Sequence, residues 1–151
     1  MTNKEQLISK IKESAIQIQE NDLKDLIDNI EHENNKSSII LALQAGILTL
    51  LKDSFYLYSK PLFCLITTLF LLAIGIALYN IIAKRYRTHT DVDAIFKNGI
   101  FTEWEVYLDS RHDHLNNAYE SAKKLLVQKA DNNAISLVIT FIILGIIFIT
   151  N

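Results

Sequence analysis

The chain has 151 residues, the length of a single domain, and half of them are hydrophobic although about a fifth are charged. The charges are segregated, because none lies between Pro61 and Ala83 and none lies between Ala134 and Asn151. This pattern argues against an ordinary soluble domain. It indicates an all-α integral membrane protein, since a charge at mid-bilayer costs several kcal/mol.

Residues 1–36 form the first predicted element, an amphipathic helical segment on the cytoplasmic side with no cleavable signal. Thr2 and Glu5 have the spacing of a capping box, so a helix begins almost at once, and Asn21 or Asp22 would cap a second piece. Because the polar face is acidic, we expect the apolar face to pack on protein rather than on anionic lipid. That apolar face is predicted to contain Leu7, Ile8, Ile11, Ala15 and Ile18, and in the second piece Leu23, Leu26, Ile27 and Ile30.

Three membrane spans are predicted, at about 37–58, 61–83 and 134–150, and the first two form a hairpin over residues 37–83. The second span has Pro61 in its first turn, where the missing N–H costs nothing. The first has an uninterrupted apolar run of only 15 residues, 37–51. On length alone that run also fits a buried core helix or a re-entrant segment. Phe55, Tyr56 and Tyr58 lengthen it with aromatic residues of the kind found at membrane interfaces.

The basic residues predict the orientation. Lys84, Arg85 and Arg87 directly follow the second span, and the positive-inside rule therefore places residues 84–133 in the cytoplasm of a bacterial inner membrane protein. The N-terminus is then also cytoplasmic, and the C-terminus, after the span in 134–151, lies outside.

The cytoplasmic segment 84–133 is predicted to be helical. A short helix begins near Thr90 and ends at Gly99, and Thr102 with Glu105 forms another capping box. No proline or glycine interrupts residues 103–144, so we predict one long helix from Thr102 through the third span. Such a helix would mechanically join the cytoplasmic part to the membrane part. Its apolar face is predicted to contain Trp104, Leu108, Leu115, Ala118, Tyr119, Ala122, Leu125 and Leu126.

Polar and small residues within the first span suggest a functional surface. Gln44 is a single amide in a short apolar helix, and the same residue of a neighbouring subunit would give it a hydrogen-bond partner. Ala42, Gly46 and Thr49 extend a surface of small residues around it. These four residues are predicted to form an oligomer interface or a pore lining. Ordinary helix packing, with hydroxyls bonded to their own backbone, is the alternative.

The sequence offers little for catalysis or metal binding. It has no phosphate loop, nucleophile elbow or HExxH motif, so we expect neither an enzyme nor a cofactor. His112 and His114 point about 200° apart on a helix, which disfavours a shared metal. If the chain senses an anionic nucleotide, the candidate cations are Lys97 and Arg111, and the candidate stacking rings are Trp104, Tyr107 and Tyr119. Nucleic acid is not an expected partner.

Three stretches resemble the small Pycsar-type transmembrane effectors of bacterial anti-phage systems. The first is 34–46, NNKSSIILALQAG, where a polar residue and Lys36 precede a small, apolar first span. The second is 94–100, AIFKNGI, followed by Glu105 and Tyr107, and the third is Lys129 before the last span. The order of spans and cytoplasmic helices is also similar, and the resemblance covers roughly residues 30–150.

The resemblance implies a homo-oligomeric effector that stays silent until a cyclic nucleotide, or a partner linked to a nucleotide cyclase, signals infection. The effector then impairs the host membrane and causes abortive infection. The chain departs from the family in having no room for an appended cyclic-nucleotide-binding β-domain, which leaves the sensing step open. Two alternatives remain: a membrane anchor that docks a soluble partner, and a holin-like pore former that acts without a trigger.

Overall fold

The computed structural model describes residues 3–51, 59–82 and 104–150, and these residues form three helices. Helix α1 is Asn3–Leu51, α2 is Lys60–Ile82 and α3 is Trp104–Thr150. The long helix predicted to continue into the third span is confirmed by α3. The predicted break near Asn21 is wrong, because α1 continues through it. The capping residues Thr2 and Thr102 and the short helix predicted at 90–99 lie outside the described residues.

The start of α2 agrees with its sequence. The backbone oxygen of Ser59 accepts a hydrogen bond from the backbone N–H of Phe63 at 2.9 Å, so the helix begins directly after Ser59. Pro61 is then in the first turn of the helix. A backbone N–H at this position would have no acceptor within the helix, so its absence costs nothing.

Two of the described helices are long and apolar enough to cross a membrane. They are α2, whose most apolar 18-residue stretch has a mean hydropathy of 2.5, and the 106–149 part of α3, for which the corresponding value is 2.3. The expected first span is not among them, since the described part of it ends with α1 at Leu51 and residues 52–58 lie outside the description. Large apolar side chains on both candidate helices are exposed, including Leu71, Phe141 and Phe148, as expected of a lipid-facing surface.

The chain divides into two compact units. Unit 1 comprises residues 1–29 and 85–125, and unit 2 comprises residues 30–84 and 126–151. In unit 1, Ile16 of α1 packs against Tyr107 and Leu108 of α3, with Leu115 alongside. In unit 2, side chains from all three helices meet in one apolar cluster, formed by Ile47, Ile66, Phe70, Ile143 and Ile147.

The buried positions of the helices recur with alternating spacings of three and four, the spacing of left-handed coiled coils. In α2 they are Ile66, Phe70, Ala73, Ala77 and Asn80. In α1 a seven-residue repeat runs through Ser9, Ile16, Leu23, Ile30, Ser37 and Gln44.

The apolar face predicted for residues 1–36 is correct in its second half, where Leu23 and Ile30 are buried, and wrong in its first half. Leu7, Ile8, Ile11 and Ile18 are all exposed, whereas polar Ser9 is buried. The reason is that α3 packs on the seven-residue repeat of α1, and these four exposed residues lie beside that repeat rather than on it. On α3 the predicted face is largely correct, with Leu108 and Ala122 buried and Leu115, Leu125 and Leu126 half-buried.

Candidate functional site

The most unusual feature of unit 2 is the number of polar side chains at the buried positions of its helices. We call the row of buried positions along each helix its seam. The seam of α1 contains Ser37 and Gln44, and the seam of α2 ends on Asn80. That of α3 contains Lys129, Asn133, Ser136 and Thr140. Buried polar groups need hydrogen-bond partners, and the shared spacing of the three helices brings these groups to the same levels.

Asn133 is the centre of the first polar level, which we call the asparagine layer and which contains Glu33, Asn34, Ser37, Asn80, Lys129, Asn132 and Asn133. Its Oδ1 accepts hydrogen bonds from Ser37 Oγ at 2.7 Å and from Asn80 Nδ2 at 2.9 Å. Its Nδ2 donates to the backbone oxygen of Glu33 at 3.0 Å and to Glu33 Oε2 at 2.9 Å. One amide thus uses two donors and two acceptor sites, and it joins α3 to both other helices.

Asn80 and Lys129 bind each other reciprocally. Asn80 Nδ2 donates to the backbone oxygen of Lys129 at 2.8 Å, and Lys129 Nζ donates to the backbone oxygen of Asn80. Asn80 lies in the last described turn of α2, so the lysine cation sits at the negative end of that helix dipole. Asn132 Nδ2 completes the contact by donating to Asn80 Oδ1 at 2.8 Å.

Lys129 carries a buried charge without a carboxylate partner among the described residues. Only 1% of the residue is exposed, and its other acceptor is Asn34 Oδ1 at 2.8 Å. Lys129 precedes the charge-free stretch that begins at Ala134. Carbonyl oxygens and a helix terminus stabilise this cation, where a soluble protein would expose it or pair it with an acid.

Glu33 is the acidic member of the asparagine layer. Burial alone would raise the pKa of its carboxyl, but the hydrogen bonds from Lys36 at 2.6 Å and from Asn133 outweigh burial, and the pKa is lowered. Glu33 therefore stays ionised at neutral pH and helps to orient Asn133.

A second polar level, the glutamine layer, consists of Gln44, Ser136 and Thr140. Gln44 Nε2 donates to Ser136 Oγ at 3.0 Å and to Thr140 Oγ1 at 2.9 Å. Ser136 Oγ in turn donates to the backbone oxygen of Ala73 in α2 at 2.9 Å, so this layer also contacts all three helices. Among the described residues, Gln44 Oε1 is the buried side-chain atom that lacks a hydrogen-bond partner. Along the helices, the apolar cluster around Phe70 comes next.

The predicted surface around Gln44 is only partly as expected. Gln44 is fully buried, and the partners we expected from a neighbouring subunit are Ser136 and Thr140 of the same chain. Ala42, Gly46 and Thr49 are exposed, and a Cβ atom added at Gly46 would meet nothing within 4 Å. Their participation in an oligomer interface or pore lining stays a prediction. The Thr49 hydroxyl donates to the backbone oxygen of Ala45, as in ordinary helix packing.

The predicted ligand residues belong to unit 1, where Arg111 is already paired. Its guanidinium donates to Glu20 Oε1 and, at 2.7 Å, to the hydroxyl of Tyr107, whose ring is buried. Burial alone would lower the pKa of Arg111, but these contacts outweigh burial and raise it. Lys97 and the basic residues Lys84, Arg85 and Arg87 lie outside the described residues, as does the side chain of Trp104. A nucleotide site formed by these residues stays a prediction.

Sequence reasoning missed the asparagine layer. Asn80 lies near the end of one charge-free stretch, and Asn132 and Asn133 directly precede another, where no local pattern distinguishes them. The available signal was the seven-residue spacing of Ala122, Lys129, Ser136 and Ile143, which aligns two polar residues with two apolar ones on one face of α3. No family model, no curated protein and no solved structure matches the chain.

Proposed function

We propose that the chain is a membrane effector of bacterial anti-phage defence, which impairs the inner membrane when a nucleotide second messenger or a partner triggers it. The observation that carries the proposal is the pair of buried polar layers, with the charge of Lys129, between helices apolar enough to cross a membrane. Ionisable groups in such places are costly, and in membrane proteins they usually serve transport or switching. The resemblance of 34–46 and 94–100 to Pycsar-type effectors supports the same function.

The proposal includes a third membrane helix, residues 37–58. Ile47 of α1 packs in one cluster with Phe70 of α2 and Ile143 of α3, and Gln44 bonds to Ser136. If the candidate spans are in the bilayer, this part of α1 lies at the same depth as their middle. Its outward side chains, among them Ile39 and Leu43, are apolar and exposed, which suits lipid. The cytoplasmic N-terminus and external C-terminus follow from the positive-inside rule.

The described arrangement corresponds to the resting state. Its three helices are held together by paired polar groups, and the apolar cluster around Phe70 would block passage of ions. Opening has to separate these helices and rearrange several copies, because three helices alone enclose no wide pore. A trigger can drive this change only by binding the open state more tightly, by about 5.5 kcal/mol for a nearly complete switch.

The test is the membrane potential of bacteria that express the chain, measured with a voltage-sensitive dye while cyclic nucleotides or a cognate cyclase are supplied. We expect depolarisation only with a trigger. Gln44→Leu removes the unpartnered Oε1, and Ser136 and Thr140 keep acceptors of their own, so this change should stabilise the resting state and suppress depolarisation. Ala45→Leu, on the exposed side of the same turn, is the matched control.

A second variant tests the oligomer. Because a Cβ atom added at exposed Gly46 meets nothing within 4 Å, Gly46→Ala is compatible with the single chain, and its effect on depolarisation would report contact with another copy. If the Gln44→Leu variant depolarises cells to the same extent as the unchanged chain, a switching role for the glutamine layer is refuted. Absence of depolarisation under every condition would refute the effector function itself.

One observation favours the membrane anchor as a second candidate. Leu7, Ile8, Ile11 and Ile18 present exposed apolar side chains on α1 in unit 1, and a soluble partner would cover them. Co-purification of a stoichiometric soluble partner, without toxicity, would support this candidate. Depolarisation on expression alone, with no trigger, would support the holin-like one.

A further inference from the structure

Unit 1 contains a cleft that is lined by the predicted stacking ring Tyr119 but not by Arg111 or Tyr107. Its volume is about 280 Å³, and its walls come from the parts of α1 and α3 that pack side by side in this unit. It is lined by Gln19, Asp22, Leu115, Asn116 and Tyr119. The floor is therefore partly apolar, and polar groups of three kinds, a carboxylate, amides and a phenol, surround it.

Several polar groups in and around the cleft are already paired. Within the described residues of unit 1, Arg111 pairs with Glu20, Lys12 with Asp109, and the ring of His112 with Gln19.

By contrast, the Asp22 carboxylate, the Asn116 amide and the Tyr119 hydroxyl make no hydrogen bond or ion pair within the described part of the chain. Three different polar groups that open onto one cleft are the arrangement expected of a site that binds a polar ligand.

The charge of the cleft selects the ligand. Among the described residues that line it, the one charged side chain is the carboxylate of Asp22. Arg111 is held by Glu20, and Lys123, one turn beyond Tyr119, does not line the cleft. Tyrosine rings attract ammonium and guanidinium groups through the negative face of the ring. Asp22 and Asn116 supply acceptors for the N–H groups of such a cation.

We propose that this cleft binds an amine or guanidinium cation, held by Asp22, Asn116 and the ring of Tyr119. The volume accommodates one such group with a short aliphatic chain. The cation comes either from a free polyamine or amino-acid derivative or from a lysine or arginine side chain of a partner protein. The proposal goes beyond the effector function and does not depend on it, since the site is a binding property of unit 1 whatever unit 2 does.

The experiment uses the full chain in detergent micelles and isothermal titration calorimetry with arginine amide. Citrulline amide is the matched neutral probe, because a urea group replaces the guanidinium at nearly the same shape. We expect saturable binding of arginine amide and at least tenfold weaker binding of citrulline amide. Asp22→Asn and Tyr119→Leu should each weaken arginine amide at least fivefold. Asp25→Asn, at an exposed aspartate outside the cleft, should leave it unchanged.

Two further probes separate the sources of the cation. Tighter binding of spermidine than of the capped peptide Gly-Arg-Gly supports a free polyamine, and the reverse order supports a protein side chain. Equal binding of arginine amide and citrulline amide would overturn the proposal, as would unchanged affinity in both Asp22→Asn and Tyr119→Leu. Binding of cyclic AMP that is lost in Tyr119→Leu, without binding of either cation, would also overturn it and would indicate an anion site.

These results are distinguishable from those of the depolarisation test. Calorimetry measures unit 1 in micelles without any trigger, and depolarisation measures the membrane lesion in cells. Failure of one therefore leaves the other to be judged on its own data.

Discussion

Asn133 offers the sharpest test of the asparagine layer, through the substitution Asn133→Leu. Leucine has the same branching and the same number of side-chain heavy atoms but makes none of the four hydrogen bonds of the asparagine. A buried hydrogen bond within a membrane protein contributes about 0.6 kcal/mol on average, and one to a carboxylate about 1.5–3 kcal/mol. Three neutral bonds and one to Glu33 then predict a loss of about 4 kcal/mol in the free energy of unfolding.

Asn132→Leu is the matched control, because the same substitution at the adjacent residue removes the single hydrogen bond to Asn80 Oδ1. We expect it to cost about 1 kcal/mol. Both variants are to be unfolded reversibly from mixed micelles by increasing the fraction of sodium dodecyl sulfate, with helicity followed by circular dichroism. The measured quantity is the difference between the two free energies of unfolding.

The reasoning predicts that Asn133→Leu is destabilised by about 3 kcal/mol more than Asn132→Leu. Equal free energies of unfolding for the two variants would refute it, and would mean that the four contacts of Asn133 are replaced by water or lipid headgroups at no cost. A variant of Asn133 that is more stable than the unchanged chain would show that the desolvation of this layer outweighs its hydrogen bonds.

The remaining predictions concern the apolar cluster and the loss of folding stability at acidic pH. Phe70→Ala should lower the free energy of unfolding by about 3–5 kcal/mol in the same assay. Phe141 is 65% exposed, and Phe141→Ala should lower it by less than about 0.5 kcal/mol. Similar losses for the two variants would mean that both rings have equivalent surroundings. The lowered pKa of Glu33 means that its carboxylate contributes stability above its unfolded pKa and that this contribution is lost as the pH falls through the folded value. Between about pH 5 and about pH 3 the unfolding midpoint should therefore fall more steeply in the unchanged chain than in Glu33→Gln, and parallel curves would contradict this.

Much of the architecture is readable from the sequence because it depends on local properties. Charge-free stretches indicate where lipid-compatible helices lie, and α2 agrees with the predicted span 61–83 to within a residue at each end. The absence of proline and glycine from 103–144 predicts the unbroken α3, because nothing in that stretch interrupts the backbone hydrogen bonds of a helix.

The face of α1 that becomes buried is not a local property. Leu7, Ile8, Ile11 and Ile18 form the more apolar stripe, yet α3 packs on the neighbouring seam that starts at Ser9. The choice depends on complementarity with the partner helix, including Ile16 against Leu108 and Lys12 against Asp109. A prediction based on hydrophobicity alone selects the wrong stripe of α1, because it ignores the side chains that α3 presents for contact.

The sequence by itself thus determined the helical type of the described elements, the ends of α2 and the continuity of α3, since charge segregation and helix breakers act on each segment separately. It did not determine that residues 3–51 form one helix. Only the tertiary structure decided where the polar groups go. Gln44 looked like a residue in need of a second subunit, and it is paired within the chain, while Asn133, which no local pattern singles out, joins three helices. The physical reason is that the cost of a buried amide depends on which groups face it, and those groups lie about 50 to 100 residues away along the chain.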